Sequence, residues 1–444
     1  MGWIWRFIWA IPFLLACEPS VSENRDALAQ KPLTQTFKSD ATVTDIFQPE
    51  ALSSIAETLS EYSLIGLGET THGQREMFDF RRQLTMALIE MGHVRTVYFE
   101  TGNASATYAN AYIQGADFSI DEAVTSGLDL LIWSTESLAR LLEDLRRWNA
   151  AAEPQDRVTF VGVDFQSPQL TSQHIARHLD GRTDLDLSGI KTLGAELETA
   201  MQSAWSGDRD QLDSVIETIN NAKRMIGESL DLENSDNLDL ARLLDDLRRY
   251  SRMADSADAR DAGMAESLLQ DSQTTSSKGA VFWAHNGHVF TGPMRYMYSQ
   301  EVAAGGRLKA ALGDDYYALG FVFGSGRFSA LVNDPETGWQ FHCYTVSDPV
   351  AGTLAEPFLA AGLETAFLDL NAPALPEQDL KWLSQPYPQR GWGGYNVGDD
   401  PDSSSRNLES LVTTVPMSDF DGLVFIRSTS ETHPHGKRLE CQNG

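Results

Sequence analysis

The stretch Ser63–Gly73, which reads Ser-Leu-Ile-Gly-Leu-Gly-Glu-Thr-Thr-His-Gly, predicts a buried strand that turns sharply into a helix. Its apolar run is short and contains two glycines, and apolar residues recur at helical spacing from Gln74 onward. Strand-turn-helix units of this kind are typical of open α/β sheets, in which ligands bind at the carboxyl ends of the strands. Glu69 and His72 follow the predicted strand directly, so we expect both side chains at a functional site.

Three more predicted strands are followed by polar residues. They are Val94–Glu100, which ends in a carboxylate, Arg157–Val163, which precedes Asp164, and Ala280–Ala284, which precedes His285-Asn-Gly-His288. Parallel strands joined by right-handed crossovers open on the same edge of a sheet. We therefore expect these carboxylates and imidazoles to converge with Glu69 and His72 in one pocket.

The remaining pattern indicates an α/β fold with a mainly parallel central sheet, helices on both faces and a helical insertion that forms a cleft. The insertion is predicted from Leu170–Ser267, where apolar residues recur at helical spacing among charged ones. We divide the folded part into residues 41–168 (first part of the core), 169–267 (insertion) and 268–444 (second part of the core). Further strands are predicted at Tyr316–Phe323, Phe328–Val332, Glu364–Leu368 and Gly422–Ile426, and a loop at Arg390–Asp402.

The first residues predict export. Residues 1–17 contain one basic residue, Arg6, then an apolar stretch that is short for a membrane span, and they end in Leu14-Leu15-Ala16-Cys17. That ending resembles the lipobox of bacterial lipoproteins, which implies cleavage before Cys17 and a lipid anchor on its thiol. The alternative is an ordinary secretory signal with an incidental cysteine. Residues 18–40 are polar and predict a flexible tether, so we expect the chain on the periplasmic side of a bacterial membrane.

Charge and cysteine content narrow the partners. A formal net charge of -29 argues against binding to nucleic acid, which requires a basic face. Besides Cys17, the chain has only Cys343 and Cys441. In an oxidising compartment these two could form a disulfide that ties the C-terminal tail to the preceding sheet, and two free thiols are the alternative.

The predicted cluster is suited to two kinds of chemistry. A histidine whose other nitrogen bonds a carboxylate is a general base that can take a proton from water, and a second histidine or an arginine can stabilise an oxyanion. No serine lies in a Gly-x-Ser-x-Gly turn. Glu69-x-x-His72 and His285-x-x-His288 are equally compatible with zinc, manganese or iron ligands, and spacing alone does not separate the two kinds. An exported protein that binds a hydrophobic ligand without turnover is a third alternative.

The order of several motifs resembles the erythromycin esterase family. They are Gly68-Glu-Thr-Thr-His-Gly73 with Glu76, Phe78 and Arg81, then Phe99-Glu100, Trp133-x-x-Glu136, Arg146-x-x-Asn149, Val161-Gly-Val-Asp164, Arg260-Asp261-x-x-Met264, Trp283-Ala-His-Asn-Gly-His288 and Phe420-Asp421. Each motif is weak by itself, but their order and spacing together are specific and cover most of the chain after Leu64.

The resemblance implies a hydrolase that opens a macrolide lactone with an activated water and needs neither metal nor other cofactor. It implies that His72 is the general base, that Glu69 and Glu100 orient it, and that His285 assists at the substrate. His288, Arg81, Arg260 and Asp164 are the expected supporting residues of the pocket. Structural roles are the alternatives for several of these residues. His72 could be a structural or capping histidine, Glu69 could accept backbone N–H bonds at the helix start, and one of His285 and His288 could only hydrogen-bond the backbone. Glu100 could pair with Arg81, and Asp164 could cap the helix after Pro168. The family includes members with other substrates, so the reaction class is implied more strongly than the macrolide.

Overall fold

The computed structural model describes residues 33–125, 131–182, 189–232, 237–256, 258–274, 279–293, 302–373, 375–395, 397–398, 400–405 and 411–441. The predicted signal peptide, its lipobox with Cys17 and residues 18–32 of the predicted tether lie outside these ranges. No helix among the described residues combines the length and the apolar character needed to cross a membrane.

Strands and helices alternate along the chain. The strands are β1 (Thr42–Thr44), β2 (Leu64–Leu67), β3 (Val94–Gly102), β4 (Thr159–Asp164), β5 (Gly279–Trp283), β6 (Tyr316–Asp334), β7 (Gly338–Val346), β8 (Thr365–Asp369), β9 (Tyr387–Gln389), β10 (Val412–Thr414) and β11 (Gly422–Thr429). The helices are α1 (Pro49–Leu59), α2 (Arg75–Glu90), α3 (Asn103–Ile113), α4 (Ile120–Thr125), α5 (Glu136–Ala151), α6 (Pro168–His178), α7 (Ile190–Trp205), α8 (Asp210–Ser229), α9 (Leu238–Arg252), α10 (Ala259–Thr274), α11 (Asn286–Val289), α12 (Ala304–Leu312), α13 (Glu356–Ala360), α14 (Glu377–Leu383), α15 (Pro401–Ser405) and α16 (Pro416–Asp419).

The central sheet is mainly parallel, which confirms the predicted fold class. Strands β11, β6, β2, β5, β3 and β4 lie side by side in that order and run in the same direction. Strands β8 and β1 extend the sheet antiparallel beyond β11, and β7 pairs antiparallel with the second half of β6. The carboxyl ends of β2, β3, β4 and β5 therefore meet at one edge, as the sequence predicts.

Helices cover both faces of the sheet. Side chains of one strand alternate between two hydrophobic cores, so Val97 and Phe99 of β3 belong to one core and Tyr98 to the other. Helices α1, α2, α4 and α5 pack on the first core, and α6 to α10 with α12 to α14 pack on the second. The predicted helical insertion corresponds to α6 through α10, which end at Thr274.

Helix α2 is held to the sheet by a completely buried apolar face. Met77, Phe80, Leu84 and Leu88 have no exposed surface, and burial of each side chain of this size contributes roughly 1.5–3 kcal/mol. Because α2 begins three residues after His72, this packing also fixes the turn that presents His72 and Glu69.

Three expectations of local structure differ from the fold. The two strands predicted at Tyr316–Phe323 and Phe328–Val332 are one strand, β6, which changes partner from β11 to β7 at Gly326. Gly326 has a φ of 118°, and a Cβ there would lie 2.2 Å from the carbonyl oxygen of Thr429, so only glycine lets the strand continue. The predicted loop Arg390–Asp402 is shorter than expected because α15 begins at Pro401.

The predicted tether is also too long. Leu33 is completely buried, and its backbone N–H donates to the Asp379 carboxylate at 3.0 Å. Thr36 is buried as well and donates its hydroxyl to the other oxygen of Asp379 at 2.5 Å. Residues 33–40 are therefore part of the folded unit. The sequence of this polar segment does not reveal its anchor, because Asp379 lies far away in the chain.

The C-terminal tail is joined to the β6–β7 hairpin by a disulfide. Cys343 of β7 and Cys441 are bonded, which selects the first of the two alternatives for these cysteines. The bond closes a loop of 98 residues.

Candidate active site

A buried chain of three side chains begins at the end of β2. One oxygen of the Glu69 carboxylate accepts a hydrogen bond from His72 Nδ1 at 2.6 Å. The other oxygen forms an ion pair with Arg81 Nη2. The turn that makes this possible crosses the backbone of β6 at Gly73, where a Cβ would lie 1.7 Å from the carbonyl oxygen of Ser329. Glycine at position 73 is therefore a steric requirement of the site.

His72 is oriented with one nitrogen free. In the neutral ring, Nδ1–H donates to Glu69 and Nε2 keeps its lone pair. No residue in the described part of the chain hydrogen-bonds to Nε2. The ring is 8% exposed and packs edge-on against Trp133, with 4.5 Å between ring centroids. Histidine held in this way by a carboxylate can accept a proton at Nε2.

Arg81 neutralises Glu69 in the protein interior. Its guanidinium is buried, lies 4.5 Å from the Trp283 ring centroid and donates to the carbonyl oxygen of Leu67 at 3.4 Å. Burial lowers the pKa of Arg81, although the charges of Glu69 and Glu100 oppose this. The predicted alternative in which Arg81 pairs with Glu100 is wrong, because Arg81 pairs with Glu69 instead.

Glu100, at the end of β3, lies at the centre of a second network. One carboxylate oxygen accepts from the backbone N–H of His285 at 2.8 Å, and the other accepts from Arg260 Nη2 at 2.9 Å. Burial would raise the pKa of Glu100, but the charges and hydrogen bonds of His288, His72 and Arg260 outweigh burial and hold this pKa well below its usual value. Glu100 makes no hydrogen bond with His72 among the described residues, so it does not orient the His72 ring by direct contact.

Arg260 reaches this network from α10 in the helical insertion. Its Nη2 donates to Asp164 at 2.8 Å as well as to Glu100, and its Nε lies 3.2 Å from the other Asp164 oxygen. The nearby carboxylates raise the pKa of Arg260 against the opposing effect of burial. Asp164 is thus an ion-pair partner, and the alternative that it caps the following helix is wrong, because Ser167 occupies that N-cap position.

His288 lies between two carboxylates. Its Nδ1 is 2.9 Å from Asp261 and its Nε2 is 3.3 Å from Glu100. Burial and the adjacent Arg260 lower the pKa of His288, but the charges of Asp261 and Glu100 are stronger and raise it to about 10. The ring is therefore an imidazolium at neutral pH and adds a positive charge beside Glu100.

The pKa of His285 is lowered, in contrast to that of His288. Its Nε2–H donates to the carbonyl oxygen of Thr70 at 3.1 Å, and its Nδ1 accepts from the backbone N–H of Gly287 at 3.1 Å. Burial and the charge of His72 lower the pKa of His285 to about 4. The ring is neutral, and both of its nitrogens bond the backbone, so it is not placed to exchange a proton with a substrate in this arrangement.

The structure brings all eight predicted side chains together. Glu69, His72 and Arg81 form one network, and Glu100, Asp164, Arg260 and His288 form the other. His285 lies between them, because its backbone bonds Glu100 while its ring centroid is 5.8 Å from that of His72. The convergence follows from the parallel strand ends, together with one helix of the insertion.

Sequence reasoning missed three parts of the site. Asp261 follows Arg260 directly and holds His288, a role that an acidic residue beside a site arginine could have signalled. Asn286 donates to the carbonyl oxygen of Phe321 and accepts from its N–H, which fastens the turn after β5 to β6. Trp133 belongs to one of the motifs, but the sequence assigned it no role at the site. It touches His72, and its indole N–H donates to the carbonyl oxygen of Glu100 at 2.8 Å.

The same residues offer little to a metal ion. Arg81 already pairs with Glu69, and Arg260 pairs with both Glu100 and Asp164. The buried Arg81 guanidinium, the partly buried Arg260 guanidinium and the His288 imidazolium would repel a dication, so the donor set does not fit one. The group in the described residues with metal-ligand spacing is Cys343, Glu431 and Cys441, in which both sulfurs form the disulfide.

Comparison with known proteins decides the family. The sequence model described as Erythromycin esterase matches residues 89–429. The chain belongs to the erythromycin esterase family. Within this family it is 22% identical over 367 residues to the Erythromycin esterase type II of Escherichia coli, and that alignment covers 73% of this chain and 83% of the relative. The resemblance deduced from the motifs is thereby confirmed.

Solved structures show how widely the fold of this erythromycin esterase family member recurs. A Bacillus cereus protein superposes with a TM-score of 0.71 at 18% identity, covering 91% of this chain and 96% of that one. A structure named as a succinoglycan biosynthesis protein gives a TM-score of 0.72 at 18% identity, with coverages of 91% and 99%. An erythromycin esterase mutant in its open conformation gives 0.63 at 15% identity, with coverages of 87% and 97%. At these identities the likeness establishes the fold alone.

The charge on His288 predicts a pH dependence of stability. Its pKa is about 10 in the folded state and 6.5 for an ordinary histidine, so its stabilising effect is complete below pH 6.5 and is lost as the pH rises through 10. We expect the unfolding free energy of wild type to exceed that of His288→Asn at pH 6.5 and the difference to narrow by about 1.4 kcal/mol for each pH unit above that value. Urea unfolding of both proteins between pH 6.5 and pH 10 measures this difference in unfolding free energy. A difference that stays constant with pH would contradict the charged assignment of His288.

Proposed function

We propose that the chain hydrolyses an ester or lactone with a water molecule activated by His72, without a metal ion. The observation that carries this proposal is the free Nε2 of a histidine whose Nδ1 bonds the buried Glu69 carboxylate. The arrangement fixes the tautomer of the ring, and it stabilises the imidazolium that forms when Nε2 takes a proton.

The reaction then proceeds in two steps. His72 Nε2 removes a proton from water as the oxygen attacks the carbonyl carbon of the substrate, which gives a tetrahedral oxyanion. The carbon–oxygen bond to the leaving group breaks, the carbonyl re-forms, and the imidazolium returns its proton to the departing alkoxide. The products are a carboxylic acid and an alcohol, or a single hydroxy acid if the substrate is a lactone. Arg260 and the His288 imidazolium supply positive charge at the same edge of the sheet.

Two observations favour water over a side-chain nucleophile from the turn. The hydroxyl of Thr70 donates to Gln74 at 2.6 Å, and the hydroxyl of Thr71 donates to the carbonyl oxygen of Gly393 at 3.2 Å. Each hydroxyl proton therefore has an acceptor other than His72, and a nucleophile needs its proton directed at the base.

A metal-dependent reaction is the less favoured alternative. The carboxylates that would be ligands are paired with Arg81 and Arg260, so their negative charge is already compensated. A dication could bind there only by displacing Arg81 or Arg260 from carboxylates that already have a positive partner.

The substrate class is proposed from the relatives. The curated relative is named for erythromycin, a macrolide, so a macrolide lactone is the first substrate to try. Two structural neighbours with other names have higher TM-scores than the neighbour named as an erythromycin esterase, so the fold does not select the substrate. Simple aryl esters are the second class to test.

Replacing His72 tests the proposed base. We expect His72→Asn to lower kcat/KM for hydrolysis of erythromycin by about 10²–10⁴-fold, the usual contribution of a general base. His342→Asn is the matched control, because His342 is an exposed histidine of β7. Mass spectrometry of the product should show the gain of one water in wild type and control, in excess chelator.

Three results of this assay would contradict the proposal. Equal loss in the His342→Asn control would show that the loss in His72→Asn is general damage to the protein and not loss of a base. Activity that requires added metal and survives in His72→Asn would assign the reaction to a metal-bound water instead. Binding of erythromycin and aryl esters without any turnover by wild type would favour a ligand-binding protein.

We also propose that the chain is exported and attached to a membrane by a lipid on Cys17, on the periplasmic side. The support is the run Leu14-Leu15-Ala16-Cys17 after an apolar stretch. We expect labelled fatty acid to be incorporated by wild type and by the control Ser20→Ala but not by Cys17→Ser, and the Cys17→Ser protein to leave the membrane fraction. Labelling that persists in Cys17→Ser would contradict the anchor.

A further inference from the structure

A short glycine-rich segment lies against the rings of His72 and His285. We call residues Gly391–Gly394 the glycine strap. A Cβ built on Gly394 would lie 2.7 Å from His72 Cδ2, and one built on Gly391 would lie 4.0 Å from His285 Cε1. The strap therefore borders the two histidine rings. Its backbone comes so close to them that a side chain at Gly394 would overlap His72.

The strap is held from several sides. Arg390, just before it, is buried and donates to the carbonyl oxygens of Gly324 and Ser347 at 2.6 and 2.7 Å. The carbonyl oxygen of Gly394 accepts from the N–H of Leu331 at 2.7 Å. Trp392 stacks on Phe328 with 5.1 Å between ring centroids and 11° between ring planes. These contacts tie both ends and the middle of the strap to the β6–β7 hairpin.

One carbonyl group connects the strap to His285. The oxygen of Thr70 accepts from the N–H of Trp392 at 2.8 Å and from His285 Nε2 at 3.1 Å. The hydroxyl of Thr71 donates to the carbonyl oxygen of Gly393 at 3.2 Å. The turn that carries His72 is thus hydrogen-bonded to the strap at two consecutive residues, and it shares one acceptor with His285.

The His72 ring is held between two surfaces. Trp133 packs on it edge-on, and Trp133 is itself fixed by the hydrogen bond to Glu100. Gly394 contacts the ring at Cδ2, the carbon next to the free Nε2. The same position meets Ile132, because a Cβ on Gly394 would lie 2.6 Å from Ile132 Cγ1. The His72 ring and the Ile132 side chain therefore leave no room for a methyl group at position 394.

We propose that the glycine strap is a positioning element for His72, and that Gly394 is its critical residue because a hydrogen at this position lets the ring keep the orientation in which Nε2 faces the substrate. The inference rests on the proposed function, since it assigns what holds the proposed base. It adds a structural element distant in sequence from His72, Glu69 and Arg81 to the machinery of the site.

The chain offers a matched pair of variants. Gly394→Ala places a methyl group against His72, whereas the control Gly189→Ala, outside the strap, places it in open space with no atom within 4 Å. Neither glycine lies in the left-handed region of φ, so alanine is compatible with the backbone at both positions. We expect Gly394→Ala to lower kcat by about 10–100-fold with KM changed little, as for a small misplacement of a catalytic group. Gly189→Ala should retain kcat within about two-fold of wild type.

A second readout does not depend on turnover. In protein labelled with ¹⁵N-histidine, the two ring-nitrogen shifts of His72, identified by their loss in His72→Asn, report which nitrogen carries the proton. We expect Gly394→Ala to change these shifts and Gly189→Ala to leave them unchanged. If wild type proves inactive, the proposed function fails while this measurement still tests the strap. Unchanged His72 shifts together with unchanged kcat in Gly394→Ala would overturn the proposal.

A third variant separates positioning from folding. If Gly394→Ala fails to fold, Ile132→Ala can be added, which removes the isoleucine atoms that a Cβ on Gly394 would meet. The remaining close contact is with His72, so the double variant should fold, judged by its thermal unfolding, and still show altered His72 shifts relative to Ile132→Ala alone. Normal His72 shifts in the folded double variant would contradict the proposal.

Discussion

The buried chain Arg81–Glu69–His72 is the interaction on which the rest of the site depends. A carboxylate with 1% exposure is stable only when its charge is compensated, and Arg81 supplies that compensation from the first turns of α2. Once Glu69 is fixed as an anion, it can hold His72 Nδ1 and leave Nε2 free. The packing of α2 on the sheet, the steric requirement for Gly73 and the position of Trp133 all preserve this one geometry.

The second network extends the same principle to a larger set of charges. Glu100, Asp164 and Asp261 each pair with Arg260 or the His288 imidazolium, so every carboxylate of this network has a positive partner. Two of the five groups come from α10 of the helical insertion, which the sheet alone could not supply. The insertion therefore completes the site as well as covering it, and His285 separates the two networks as a neutral ring bonded to the backbone.

The sequence predicted the fold class and the meeting of the strand ends, because both follow from local periodicity and the handedness of crossovers. It identified all eight clustered side chains, six of them as residues that follow or end predicted strands and two, Arg81 and Arg260, through the family resemblance. It could not assign the ion pairs. Arg81 pairs with Glu69 and not with Glu100, because the packing of α2 on the sheet determines which carboxylate its guanidinium reaches. The anchoring of residues 33–40 on Asp379, the passage of β6 through Gly326 and the strap on His72 are contacts between residues far apart in sequence, which have no local signature.

Chemical rescue tests the central claim, that His72 acts as a general base through Nε2, most directly. In a His72→Gly variant the ring is absent, and added imidazoles of increasing basicity can occupy the space it leaves beside Glu69. The account predicts that hydrolysis of erythromycin or of an aryl ester is partly restored, and that the restored rate rises with the pKa of the added base. Restoration that is independent of the basicity of the added imidazole, or a rate in His72→Gly equal to that of wild type without any added base, would contradict it.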